Sequence, residues 1–295
     1  MDLRQLEMFN AVAENSSFTL AGQKLYVAQS AISRKIKMLE EELGEKLFKR
    51  VNKRIFLTPA GEAMLRHTRR VFQELKNAVF EISDLAQMKR GMLRIGSGMT
   101  ACMYLLPPVI EKFQARYPKL DIQVVTGSAE TLISQIRNSI LDIGVLTLPV
   151  NSPDLEVIPF ITEEMVLVTS IRNRRLAKRR TVKAAELAEH PMILFNKGSA
   201  TRVLLDQYFE QLGISPRVVM ESESVATIKP LVSINLGISL LPLRAVLPET
   251  RRRELHYVKI GDKKLFREIG LVCHKSDYHP KALSELIELF RTTNA

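Results

Sequence analysis

The sequence predicts an α/β protein in two parts: a small N-terminal helical domain running into one long helix, and a larger domain of alternating strands and helices. Three observations carry this prediction. Short amphipathic helices and a basic hairpin fill residues 1–58, an uninterrupted helical run starts at Pro59, and beyond Gly91 strand-like apolar runs alternate with helical ones. The 295 residues are 46% hydrophobic and 25% charged, the balance of globular domains. No apolar run approaches the roughly 20 residues that cross a bilayer. The start, MDLRQLEMFN, lacks the basic and then apolar pattern of a secretion signal, so a soluble cytoplasmic protein without a membrane partner is expected.

Leu3, Leu6, Phe9, Val12 and Ala13 recur at helical spacing and predict a first helix, ended by the turn formers Asn15 to Ser17. Thr19 is expected to cap a short second helix through Leu20, Ala21 and Leu25, with small Ala21 allowing a close crossing. A turn at Tyr26 and Val27 then leads into AQSAISRKIKMLEEELG, Ala28 to Gly44. Ala31, Ile32, Ile36, Leu39 and Leu43 give this third helix an apolar face. Its other face carries Gln29, Ser30, Ser33, Arg34 and Lys37, which donate hydrogen bonds and attract negative charge, whereas Glu40, Glu41 and Glu42 repel a polyanion. Only the front of the helix therefore suits nucleic acid. Two short helices joined by a few residues predict a helix-turn-helix whose second member enters the major groove of double-stranded DNA.

After Gly44, apolar runs around Leu47-Phe48 and Ile55-Phe56-Leu57 flank a basic turn. They predict a hairpin wing that brings Lys49, Arg50, Lys53 and Arg54 to phosphates beside the helix. The formal net charge of +11 agrees with a polyanionic partner. The basic clusters Arg172 to Arg180 and Arg251 to Arg253 read as solvated surface.

The run from Leu6 to Glu62 resembles the N-terminal domain of the LysR-type transcriptional regulators. The likeness is carried by Leu6, Phe9, Val12, Ser17, Phe18, Thr19, Ala21, Leu25, Val27, Gln29, Ser33, Ile36, Leu39, Glu40, Leu43, Gly44, Leu47, Phe48, Arg50, Thr58, Pro59, Ala60 and Gly61. At the start of the recognition helix the family commonly has Ser and Pro, where this chain has Ala28 and Ser30. Ala28 has no side-chain oxygen to cap the helix, which costs about 1 kcal/mol. The resemblance implies a winged helix-turn-helix at 1–58, a linker helix and hinge at 59–90, and a two-lobed effector domain like periplasmic binding proteins at 91–295.

Thr58 as N-cap, Pro59 at the first helical position and Glu62 in the first turn start the long helix. Leu65, Thr68, Phe72, Leu75, Val79, Ile82 and Ala86 alternate spacings of three and four along it, a coiled-coil seam that a second chain would cover. In the family this helix pairs two protomers, often within a tetramer, so a homodimer or homotetramer is implied. Lys89-Arg90-Gly91 is expected to form the hinge.

In the larger domain, strands are predicted at 92–95, 120–126, 143–146, 165–169, 192–194, 218–220 and 238–240. Helices are predicted at 106–117, 130–138, 184–188, 201–212 and 224–234, and the succession predicts a parallel sheet. Gly96-Ser97-Gly98-Met99-Thr100-Ala101 fits a dinucleotide fingerprint, but Pro107 and Pro108 would break the helix such a site needs. A short turn from Gly98 and a helix restarting at Pro107 are expected instead.

Turns after strands, where helix N-termini offer free N–H groups, supply candidates for a small anionic effector: Ser97, Thr100, Ser128, Thr147, Ser199, Thr201 and Arg202. Thr100, Ser128 and Thr201 match positions that line the effector pocket in the family. Cys102 lies beside this predicted cleft and reads as a buried inert thiol.

The two cysteines, Cys102 and Cys273, show no CxxC pattern, and His67, His190, His256, His274 and His279 are scattered without ligand spacing. No catalytic constellation, metal or cofactor is predicted. An enzyme or a solute-binding protein fused to a nucleic-acid module is the alternative reading.

Overall fold

The first helix of the computed structural model, α1 (Leu3–Asn15), begins with a reciprocal cap: Asp2 accepts from the Gln5 amide at 2.7 Å while Gln5 accepts from the Asp2 amide at 2.8 Å. The structure describes residues 1–51, 54–85, 91–275 and 279–294, which fall into two compact units, Met1–Ile82 and Ser83–Ala295.

In the first unit, Ser17, two residues before the expected Thr19, caps α2 (Phe18–Leu25) by accepting from the Leu20 amide. Thr19 instead lies within the first turn. Ala21 is fully buried as expected, yet Gly22 sets the crossing: a Cβ there would lie 2.7 Å from the Val27 carbonyl oxygen. The turn at Tyr26, in the left-handed region at φ 55°, delivers the chain into α3 (Gln29–Leu43). Ile32, Ile36 and Leu39 of α3 are buried with Met8, Phe9, Val12 and Ala21 in the small core.

The wing is β1 (Phe48–Val51) paired antiparallel with β2 (Arg54–Leu57). Lys53, a predicted phosphate contact, lies outside the described residues. α4 (Pro59–Leu85) starts where predicted, with Thr58 Oγ1 accepting from the Gly61 amide at 3.0 Å.

The predicted seam along α4 is divided. Leu65 and Phe72 pack on Leu6, Phe9, Leu39 and Leu47, and buried Thr68 donates to Asn10 Oδ1 at 2.6 Å. These three side chains therefore serve their own domain and are not part of an open seam. Val71 and the apolar row from Leu75 face outward: Val71 and Leu75 are 42% and 44% exposed, Val79 and Ile82 64% and 66%. Ala86, Lys89 and Arg90 lie outside the described residues, and Gly91, expected in the hinge, is the first residue of a strand.

The second unit consists of two lobes sharing one sheet. Lobe one contains β3 (Gly91–Ser97), α5 (Met99–Tyr104), α6 (Leu106–Arg116), β4 (Leu120–Thr126), α7 (Ala129–Arg137) and β5 (Ile143–Thr147). The break between α5 and α6 falls before Pro107, as expected, and rules out the unbroken helix of a dinucleotide site. β4, β3 and β5 are parallel, as predicted, but the sheet as a whole is mixed.

The antiparallel part comes from two long strands, β6 (Leu155–Ser170) and β12 (Leu265–His274), which run from lobe one into lobe two. Of these, only 165–169 was legible as strand. Lobe two adds β7 (Thr181–Val182), a 3-10 turn at Ala184–Glu189, β8 (Pro191–Phe195), α8 (Ala200–Gln211), β9 (Arg217–Ser222), α9 (Val225–Ser233), β10 (Ser239–Pro242), α10 (Leu243–Arg251) and β11 (Leu255–Ile260). α11 (Lys281–Asn294) returns to lobe one, where Leu286 and Phe290 are buried beside Phe113 and Leu271. Each lobe thus has its own core. No helix among the described residues is long and apolar enough to cross a membrane.

Candidate nucleic-acid interface and ligand cleft

In the first unit, the buried stripe of α3 leaves Gln29, Ser30, Ser33, Arg34 and Lys37 all exposed. The helix starts without a side-chain cap at Ala28, so its first turn is held only by backbone bonds such as Ala31 N to Ala28 O at 3.0 Å. Lys37 lies 3.6 Å from Glu41, one turn away, an exposed pair that little constrains it. Among the described residues no carboxylate pairs with Arg34, Lys49, Arg50 or Arg54, so these cations face solvent uncompensated.

Glu40 has a different role from the one its charge suggested. Its carboxylate is buried and accepts from the amides of Leu47 at 2.9 Å and Phe48 at 3.2 Å, with Lys46 Nζ at 2.8 Å. It therefore anchors the wing to the recognition helix rather than repelling a ligand. Between them lies a groove of about 370 Å³ lined by Ser33, Lys37, Lys49 and Arg50. Tyr26, 97% exposed directly before α3, is a further candidate that the sequence offered only as a turn residue. Its backbone is left-handed, and its exposed hydroxyl is of a type that can donate to phosphate.

In the second unit, the predicted effector residues fall into two groups. Ser97, Thr100, Ser128 and Thr147 gather at the carboxyl ends of β3, β4 and β5, where the Gly127 amide donates to Ser97 O at 3.3 Å. Ser97 is fully buried and donates to Gly98 O, whereas exposed Ser128 caps α7 by accepting from the Thr131 amide. Ser199, Thr201 and Arg202 gather at the start of α8, where Ser199 accepts from the Arg202 amide.

Arg202 is engaged within lobe two. Its buried guanidinium is committed, with Nε donating to Asp206 at 2.8 Å and Nη1 to Phe195 O and Glu221 at 2.7 and 2.8 Å. It holds the Glu221 carboxyl below the usual carboxylate range, so Arg202 stabilises lobe two rather than offering charge to a ligand.

The cation that joins this constellation is one the sequence did not single out. Arg267, 3% exposed on β12, donates Nη1 to Thr201 Oγ1 at 3.1 Å and Nη2 to Glu163 of β6 at 2.5 Å. Its Nε is buried without a partner among the described residues. Glu163 also meets Arg244 at 4.0 Å, so one carboxylate faces two guanidiniums where the strands pass between lobes. No local spacing announces this: Arg267 and Glu163 are 104 residues apart.

Cys102 is half-buried rather than buried, and burial pushes its thiol above the ordinary range. Cys273 is pushed up to about 12 by burial, with the Glu156 carboxylate adding to the effect. Neither is an activated thiolate.

Two family profiles match the chain. Residues 3–62 match the profile described as bacterial regulatory helix-turn-helix protein, lysR family, and residues 86–295 match the LysR substrate binding domain. The chain is 34% identical over 277 residues to the transcriptional dual regulator GltC of Bacillus subtilis, covering 94% of this chain and 92% of that protein. It is 30% identical over 288 residues to the HTH-type transcriptional activator CmpR of Synechocystis, covering 98% and 93%. Among solved structures, a full-length OxyR cysteine-to-aspartate variant from Pseudomonas aeruginosa superposes with a TM-score of 0.81 at 24% identity, covering 99% of this chain and 95% of that one. Full-length CbnR complexed with its target DNA superposes at 0.68 and 23% identity, covering 99% and 100%. These two structures share the fold.

Proposed function

The chain belongs to the LysR family of transcriptional regulators, and from that premise we propose that α3 reads duplex DNA while a small anion bound between the lobes of the second unit controls the reading. The observation that carries the first half is the uncommitted donor face of α3. Gln29, Ser30, Ser33 and Arg34 are solvated, as groups that exchange water for base edges must be, and Lys37 is held only by its exposed pair with Glu41. Arg50 and Arg54 of the wing, with Tyr26 and, by its place in the sequence, Lys53, hold the adjoining phosphates and set the register. A dimer presents two such helices to successive major grooves, and a tetramer pairs two dimers.

Arg267 supports the second half. A buried Nε–H without an acceptor is costly, and an anionic ligand oxygen beside Thr201 would satisfy it. Ser97, Thr100, Ser128, Thr147 and Ser199 supply hydroxyls around the same cleft, and binding shifts the protein toward whichever state holds the ligand more tightly. Catalysis has no part in this function, and its place is the cytoplasm, where the chromosome is read.

The test is selection of genomic fragments on the full-length protein in excess bulk DNA, followed by a screen of small carboxylates and their neutral amides. The expected outcome is enrichment of a few fragments whose affinity or footprint changes with a carboxylate and not with its amide. Equal retention of all fragments would refute the DNA reading, and a response to neutral compounds alone would refute the anionic effector.

A further inference from the structure

We infer that Glu156, Cys273 and His279 form a binding site for a borderline divalent cation of the zinc class, separate from the effector cleft. The site lies at the opposite end of the β6–β12 pair from Arg267 and Glu163. Cys273 and Glu156 are direct cross-strand partners, so their side chains share one face of the sheet. His279 reaches them from the segment entering α11.

Cys273 Sγ lies 4.0 Å from Glu156 Oε2, and His279 Nε2 lies 3.0 Å from the same oxygen. All three donor atoms lie within 4.8 Å of one another. Tetrahedral zinc, with bonds of about 2.0–2.3 Å, separates its ligands by roughly 3.3–3.7 Å, so shifts of about an ångström or less close the site. Among the described residues this is the one such cluster of three.

The donor set selects the metal. One thiol, one imidazole and one carboxylate suit zinc, whereas calcium and magnesium require oxygen ligands. The thiol is buried, while the Glu156 and His279 side chains are 41% and 20% exposed, which leaves an entry path and a fourth position for water. Binding releases the Cys273 thiol proton to solvent and uses the Nε2 lone pair of neutral His279, with no change of oxidation state. The bound cation would fasten the end of β12 to the start of α11, whose Leu286 and Phe290 fill the core of lobe one. Sequence spacing gave no sign of this because Glu156 stands 117 residues from Cys273.

Titration of Co²⁺ into metal-stripped, untagged full-length protein tests the site. A thiolate-to-cobalt charge-transfer band saturating at one equivalent, and displaced by Zn²⁺, is expected. Cys102→Ser keeps the band and Cys273→Ser abolishes it. His279→Ala, a change at a partly exposed position, lowers Co²⁺ affinity by at least the roughly 10- to 100-fold that loss of an outer-shell partner costs. No band in the wild type, a band that survives Cys273→Ser, or an affinity unchanged by His279→Ala would overturn the proposal.

Discussion

Arg34 and Arg54 are both exposed cations without a carboxylate partner among the described residues, yet their positions give them different tasks. Arg34 projects from the first half of α3, which the proposed function assigns to base edges, and Arg54 from the wing, which it assigns to phosphates. Arg34→Ala is expected to cost about 1–3 kcal/mol on the selected fragment and little on bulk DNA. Arg54→Ala should weaken both alike and reduce the magnitude of the slope of log K against log salt by about 0.9. Fluorescence anisotropy at several salt concentrations measures both, and equal loss on specific and bulk DNA for Arg34→Ala would contradict the assignment. At this scale the sequence was legible where chemistry follows from type and helical position, as for the α3 donors. It was not legible where chemistry depends on what lies opposite. Glu40 looked like a charge facing the ligand and is a buried anchor for the wing, and Arg202 looked free and is neutralised by two carboxylates.

At the scale of elements, α4 shows why periodicity alone does not identify a partner. Leu65, Thr68, Phe72, Leu75, Val79 and Ile82 follow one pattern, but α1 and the wing base cover only the first three. The remaining exposed row, with Val71, is the part left for a second chain. Val79→Asp puts a carboxylate on each side of that seam while disturbing nothing within the domain, since Val79 is 64% exposed. Loss of two buried valines, about 3 kcal/mol, corresponds to roughly 100-fold in dimer dissociation. Sedimentation equilibrium should show Val79→Asp monomeric where the wild type is dimeric, with unchanged helix content. A variant that remains a dimer would place the interface elsewhere. β6 shows the opposite failure of legibility: Pro159 interrupts the pattern of its first half, and the register shift opposite Ile269 and Gly270 absorbs that proline, so residues 155–164 are held as strand by their pairing with β12.

For the whole molecule, the division into a reader, a long helix and a two-lobed α/β unit was legible because each part has its own hydrophobic period. The mixed sheet was not, because β12 residues lie 100 to 119 positions beyond the β6 residues they pair with, and no local pattern encodes so distant a partner. The proposed ligand site is similar: its turns stand out singly in the sequence, while the Arg267–Glu163 pair on β12 and β6 does not. The central claim is that the exposed front of α3 enters the major groove twice per dimer. Hydroxyl-radical footprinting of the wild type on a selected fragment tests it most directly. Two protected tracts on one face of the duplex, centred a whole number of helical turns of about 10.5 base pairs apart and both lost in Arg34→Ala, are predicted. A single tract, or protection indifferent to Arg34→Ala, would contradict the account.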